Sequence, residues 1–306
     1  DGAQPLQLWQ LAAAYESQRG GISEEEVLAR MVEIVEILET SLQTGLAGTE
    51  YEDRILEAQV GSFRSALEAG ALLGEGPGAG PRDAGLLNTM ILYVTAFMET
   101  KSAMGVIVAA PTAGACATLP ASCLSAAHHL AGVPIGEGLP SSAAKEEAAK
   151  AMLAAGMIGV FIAAHSTFAA EVCGCQAETG AGAGMAAAAL VQLAGGTVQQ
   201  ALAASSMALQ NTLGLICDPV ANRVEVPCLG RNVLGASNAL ASANMALAGF
   251  DPVIPLDEVI QTMDAVGKSL PHSLRCTALG VLSVSPASKR IEEALKAKGS
   301  QGAVIR

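Results

Sequence analysis

The sequence predicts an all-α fold, a compact helical domain with its functional residues on the connections between helices. Three observations predict it. Apolar residues recur at helical spacing in one segment after another, and capping residues open several of those segments. Aromatic residues make up 3% of the 306 and there are 33 glycines, so small side chains fill much of the 51% apolar share and let helices approach closely. Strand signals are few, "GVIVAAP" and "NRVEVP".

The clearest helix is 24–44. Ser23 is a good N-cap with Glu26 three residues on, the pattern of a capping box. Val27, Leu28, Met31, Ile34, Val35, Leu38 and Leu42 form its apolar stripe, and Gly45 is expected to end it. A second helix is expected at 51–72. The stretch "GEGPGAGP" at 74–81 then reads as a flexible loop. Helical patterns resume at 85–101, 115–131, 145–164, 180–194, 198–214, 232–248, 256–267 and 289–297, with Thr197 and Gln200 forming another capping box. The expected organisation is N-terminal helices over 1–73, a linker over 74–85 and a helical core over 86–306. The N-terminal helices are expected to pack on that core as one domain.

Net charge is −12. That argues against nucleic acid and against an anionic membrane surface, because both reward a basic face. Ala151–Ala170 and Thr179–Cys217 carry no formal charge and are long enough to span a bilayer. The first ends in "AHSTFAA", the second holds five Asn and Gln residues, and no aromatic belt flanks either, so buried core helices are expected. The N-terminus lacks the basic and apolar regions of a signal peptide. Seven cysteines, an odd count in a long chain, fit a reducing, cytoplasmic setting, with thiols serving as ligands or small core residues.

Four polar connections interrupt this oily chain: "AAPTAGAC" (109–116), "EVCGCQAETG" (171–180), "CDPVANRVEVPCLGRN" (217–232) and "LPHSLRCTALG" (270–280). Functional residues favour such loops on a rigid scaffold, and four of them suggest one shared site. Cys175, Cys217 and Cys228 each lie in one. They either converge on a soft metal or iron–sulfur cluster or are small buried cysteines; their spacing matches no zinc ribbon or ferredoxin pattern. The "GAGAG" at 180–184 follows no strand and precedes poly-Ala, so close helix packing is expected rather than a nucleotide loop. His128 and His129 end a helix and are read as structural. His165 and Lys101 are the candidates for acid–base work, each against a plainer reading as core histidine or helix-end lysine. No nucleophile elbow and no pyridoxal phosphate site is evident.

"VAAPTAGACATLPA", "GCQAETGAGAGMAAAALVQLAGGT", "NTLGLICDPVANRVEVPCLGRNVLGASNAL" and "PLDEVIQTMDAVGKSLPHSLRCTALG" follow one another in order. Together they resemble the α chain of the iron–sulfur L-serine dehydratases, over roughly residues 86–286. The resemblance implies an all-α catalytic domain with cluster-binding loops. It implies a 4Fe–4S cluster on Cys175, Cys217 and Cys228, with no pyridoxal phosphate, and conversion of L-serine to pyruvate and ammonia. It also implies a β chain that helps complete the site, because the family's Ser-Ser-His-Thr segment is absent here; a homo-oligomer is the other expected assembly. Cys173 stands where the family has glycine, "ACATLPA" replaces a Ser/Gly-rich version of its loop, and "GVLS" at 280–283 replaces a double glycine.

Around such a cluster, Thr112 and the Pro111–Gly114 backbone are the candidates for the substrate carboxylate, with Ser166 a further substrate contact. Arg231 and Asn232 are expected to support cluster or carboxylate from beside Cys228. Gln176, Glu178 and Asp218 are expected to orient the ligands from behind. Competing readings are a lyase acting on cysteine or another hydroxy or thio amino acid, and a scaffold subunit without catalysis.

Overall fold

The computed structural model describes residues 6–73 and 85–299, which hold twelve α-helices and no β-strand. Apart from Gly85, the expected linker 74–85 lies outside the described residues. In chain order the helices are α1 (Leu8–Gly20), α2 (Glu24–Ala47), α3 (Val60–Glu68), α4 (Gly85–Ser102), α5 (Thr118–Leu130) and α6 (Ser142–His165). They continue with α7 (Ala170–Cys173), α8 (Thr179–Leu193), α9 (Val198–Gln210), α10 (Cys228–Leu247), α11 (Leu256–Ser269) and α12 (Pro286–Ala297).

The architecture is built round α8, which is buried at every residue from Thr179 to Gln192. Helices α5, α6, α9 and α10 surround it. The "GAGAG" run explains how four helices reach one axis. A Cβ on Gly180 would stand 2.6 Å from Thr212 Oγ1, and one on Gly184 would stand 3.2 Å from Leu209 Cγ. Close packing is therefore what these glycines do. One hydrophobic cluster extends from Leu8 of α1 and Leu38 of α2 through Phe97 of α4 to Met263 of α11. Helix α6 is long and apolar enough to cross a membrane by length and composition, and it packs against α1, α2 and α8.

Local chemistry sets the boundaries. Ser23 Oγ accepts a hydrogen bond from Glu26 N, but Glu26 pairs with Arg30 at 2.6 Å instead of closing the expected box. The helix does not stop at Gly45. That glycine is buried against Ala96, whose carbonyl oxygen would lie 2.1 Å from a Cβ there, and α2 runs on to Ala47. Helix α1 escaped the sequence reading because Leu8, Ala12 and Ala13, the residues it buries, make too narrow a stripe to register. The helix expected at 51–72 begins only at Val60. Upstream, buried carboxylates hold the backbone instead: Glu225 accepts from Ile55 N and Leu56 N, and Glu99 accepts from Gln59 N and Val60 N. Neither "GVIVAAP" nor "NRVEVP" forms a strand, and among the described residues there is no second strand to pair with either. The single bridge among the described residues joins Cys217 to Arg275.

Candidate functional site

Asn232 gathers the site. Fully buried on α10, it accepts through Oδ1 from Ala117 N and from the backbone and hydroxyl of Thr118. Through Nδ2 it donates to the carbonyls of Gly114 and Cys228, both at 2.9 Å. This one amide fastens the 109–117 loop and the start of α5 to the first turn of α10. Its hydrogen-bonding capacity is spent on backbone, so it positions the loops rather than reaching for a ligand. Gln176 does similar work on the far side: Oε1 accepts from Gly214 N and Nε2 donates to Met263 O.

The thiols sit where these elements meet. Cys175 lies in a tight 3₁₀ turn just before α8, its Sγ 3.2 Å from Thr179 Oγ1. Cys228 is the first residue of α10, on the helix rather than in the loop that precedes it. Cys217 follows α9 and is fixed by the 270–280 loop: its N–H donates to Leu274 O at 2.9 Å, and its carbonyl accepts from Cys276 N at 3.0 Å. The Cys217 thiol lies between those of Cys175 and Cys276 and interacts with both. The interaction with its two thiol neighbours raises the pKa of Cys217 and lowers those of Cys175 and Cys276. Burial, and then the charge of Cys175, pushes Cys228 up to about 12. Among the described residues no three His, Cys, Asp or Glu side chains come close enough to hold a metal ion.

Charged groups border these thiols. Arg231 Nη2 donates to the buried Asp218 at 2.6 Å, while Nη1 is buried and makes no hydrogen bond. Burial opposes the Arg231 charge, but Cys175 and Asp218 more than offset it and raise its pKa. Asp218 also accepts from Leu282 N. Thr112 Oγ1 donates to Glu178 Oε1 at 2.7 Å. Burial, then the Cys175 charge, lifts Glu178 to about 7. A Cβ on Gly114 would lie 2.9 Å from the same carboxylate oxygen, so a side chain here would have to displace the Glu178 carboxylate. Lys101, at the end of α4, donates to Val224 O; burial lowers its pKa against the opposing charges of Cys116, Cys228, Glu225 and Glu178.

Two expected residues stand apart. His165 is exposed at the end of α6 and lines an apolar cavity of about 640 Å³ with Phe161, Phe250 and Ile260. Ser166 turns to Asp264 of α11, 3.4 Å away. Cys173 is buried but faces α11, with Asp264 Oδ1 at 3.9 Å. His128 is a core residue, its Nδ1 2.9 Å from the Tyr93 hydroxyl. The sequence reading passed over Cys276, although it picked out the loop that holds it. The available signal was a cysteine in the fourth of four polar loops.

The sequence model of a family described as serine dehydratase alpha chain matches residues 3–283. A probable L-serine dehydratase alpha chain of Bacillus subtilis is 34% identical over 271 residues, 89% of this chain and 84% of that protein. The L-serine dehydratase alpha chain of Peptoniphilus asaccharolyticus is 32% identical over 290 residues, 94% and 91% of the two chains. An L-serine dehydratase of Helicobacter pylori is 35% identical over 251 residues, which cover 82% of this chain and 53% of that longer protein.

Proposed function

Because this chain belongs to the serine dehydratase alpha chain family, we propose that it removes water from L-serine to give pyruvate and ammonia, using a 4Fe–4S cluster held by Cys175, Cys217 and Cys228. The observation that carries this reading is the packing of the buried Cys175 and Cys217 together, with Cys228 and Arg231 electrostatically coupled to Cys175 and with Arg231 Nη1 a buried donor without a partner. An iron–sulfur cluster carries net negative charge and takes one thiolate at each iron. Its ligands therefore surround a volume instead of converging on one point, and a neighbouring unpaired guanidinium N–H suits it. Thiols that do not converge on one ion are compatible with that requirement.

With three protein thiolates the cluster supplies a Lewis-acidic iron for the substrate hydroxyl, a poor leaving group by itself. The chain's own residues supply the rest. Arg231 and the Thr112–Gly114 loop offer donors to the substrate carboxylate. Glu178, held by Thr112, offers an acceptor to the ammonium group. Lys101 lies within electrostatic reach of Cys228 and Glu178, and burial lowers its pKa; in this proposal it takes the Cα proton. His165 faces another cavity and has no part in this scheme. Loss of that proton and of the β-hydroxyl releases water and aminoacrylate, which hydrolyses to pyruvate and ammonia. A β-type partner completes the site, in keeping with relatives named as alpha chains and with the longer single-chain relative.

The test is anaerobic co-expression with a β-type partner, followed by a pyruvate assay over L-serine, L-threonine, L-cysteine and D-serine. L-Serine is expected to give by far the highest kcat/KM. Preference for L-cysteine, or no turnover by a fully iron-loaded complex, would refute the proposal.

A further inference from the structure

We propose that Tyr51 and Glu225 are positioning residues for Lys101, holding its amine where proton transfer needs it. This deepens the reading of Lys101 as the base and rests on it. Lys101 lies in the last turn of α4 and donates to the Val224 carbonyl. The next residue is the buried Glu225, and one oxygen of its carboxylate takes three hydrogen bonds. The Tyr51 hydroxyl donates at 3.0 Å, and Ile55 N and Leu56 N donate at 3.1 Å each. All three donors come from the non-helical segment between α2 and α3, far away in sequence. The N-terminal part of the chain therefore clamps the residue beside the carbonyl that Lys101 uses.

A lone carbonyl partner does not fix a lysine, whose flexible four-carbon stem loses much rotamer freedom when ordered. The Val224 carbonyl directs the amine only if it is itself held, and the clamp on Glu225 holds it. A neutral amine that donates one N–H to this carbonyl keeps its lone pair for the Cα proton. The ammonium formed then lies in the field of Glu225, one of the charges that favour it against burial; Cys116, Cys228 and Glu178 are the others. Burial first, and then the Glu225 charge, raises the pKa of the Tyr51 phenol, so its hydroxyl stays a donor.

Glu99 supplies the contrast. It anchors the same segment through Gln59 N and Val60 N. It stands two positions before Lys101 on α4, and residues two apart on a helix do not face each other. Loss of either carboxylate loosens the segment, but only loss of Glu225 releases the Val224 carbonyl.

The experiment compares wild type, Y51F, E225Q, E99Q and Lys101→Gln as anaerobically purified complexes with a β-type partner. Iron content is measured first, then kcat and KM for L-serine. Labelling of Lys101 by acetic anhydride at mildly alkaline pH is then followed by mass spectrometry, with the other lysines as internal standards. Y51F and E225Q are expected to keep their iron and to lose kcat roughly 10- to 100-fold with KM changed less than about threefold, the pattern of a misplaced catalytic group. Their Lys101 is expected to label several-fold faster than in wild type. E99Q is expected to unfold at lower urea and to keep the wild-type kcat and Lys101 labelling. Wild-type kcat and labelling in both Y51F and E225Q, beside an inactive Lys101→Gln, would overturn this inference alone. An equal fall of kcat in E99Q would reduce the clamp to a lock on the fold and overturn it as well. A Lys101→Gln complex with near-normal kcat would overturn the base assignment, and this inference with it.

Discussion

Gly267 of α11 meets Cys173 so closely that a Cβ at position 267 would lie 2.5 Å from the Cys173 Cβ and 2.6 Å from its Sγ. This contact separates two cysteines that the sequence places one residue apart. Cys173 is a packing residue for α11, while Cys175 faces the other thiols. The Cys173→Ser variant is accordingly expected to retain its full iron content and activity within about twofold, because this buried, near-isosteric exchange falls on a contact with α11 and not on the other thiols. Gly267→Ala forces an overlap at a fully buried contact and is expected to cost roughly 1–3 kcal/mol in denaturant unfolding. An iron-free Cys173→Ser protein would place Cys173 in the cluster instead.

Asn232 gives the sharpest stability prediction. Truncation to Ala leaves the buried N–H groups of Ala117 and Thr118 and the carbonyl of Gly114 without their partner. Orphaned buried groups of this kind cost roughly 2–4 kcal/mol together. Urea unfolding of Asn232→Ala is expected to show that loss, with a matching fall in iron retention because Cys228 and the 109–117 loop are no longer tied together.

Glu178 sets a pH dependence in the iron-free chain. Its carboxyl rises from the ordinary 4.5 to about 7, first through burial. Between those values the folded chain holds a proton that the unfolded chain has released. Stability from this group is therefore complete below pH 4.5 and is lost as pH rises through 7. Glu178→Gln is expected to remove that decline, a difference of roughly 1–3 kcal/mol between the two proteins across this window. Parallel stability profiles from pH 4 to 8 would contradict the assignment.

Lys101 is expected to act on turnover rather than on cluster assembly. Replacement by Gln should lower kcat by about 10²–10⁴, the range for loss of a proton-transfer group. Iron content should remain unchanged. A Lys101→Gln enzyme with near-normal kcat would move the base to the partner chain.

Much of this was legible in the sequence, and what was missed has identifiable physical causes. The Gly/Ala run of α8 could be read as close packing because nothing around it suited a phosphate. The four polar loops of the site stood out against an apolar chain. Helix ends fixed by tertiary contacts were not legible: Gly45 does not stop α2 because Ala96 packs on it, and 51–59 is not helical because Glu99 and Glu225 take its backbone donors. The same holds within the site. Spacing alone could not tell that Asn232 spends itself on backbone, that His165 turns into a separate cavity, or that Cys276 lies against Cys217. Each of these depends on which loop the folded chain brings beside which.

Serine dehydration by this chain is proposed to depend on an iron–sulfur cluster held by its buried thiols. Iron and acid-labile sulfide analysis of the anaerobically purified complex tests it most directly. The prediction is about four of each per chain, the composition of the cluster, falling sharply in Cys175→Ser, Cys217→Ser and Cys228→Ser. An iron-free protein that still converts L-serine to pyruvate would contradict it.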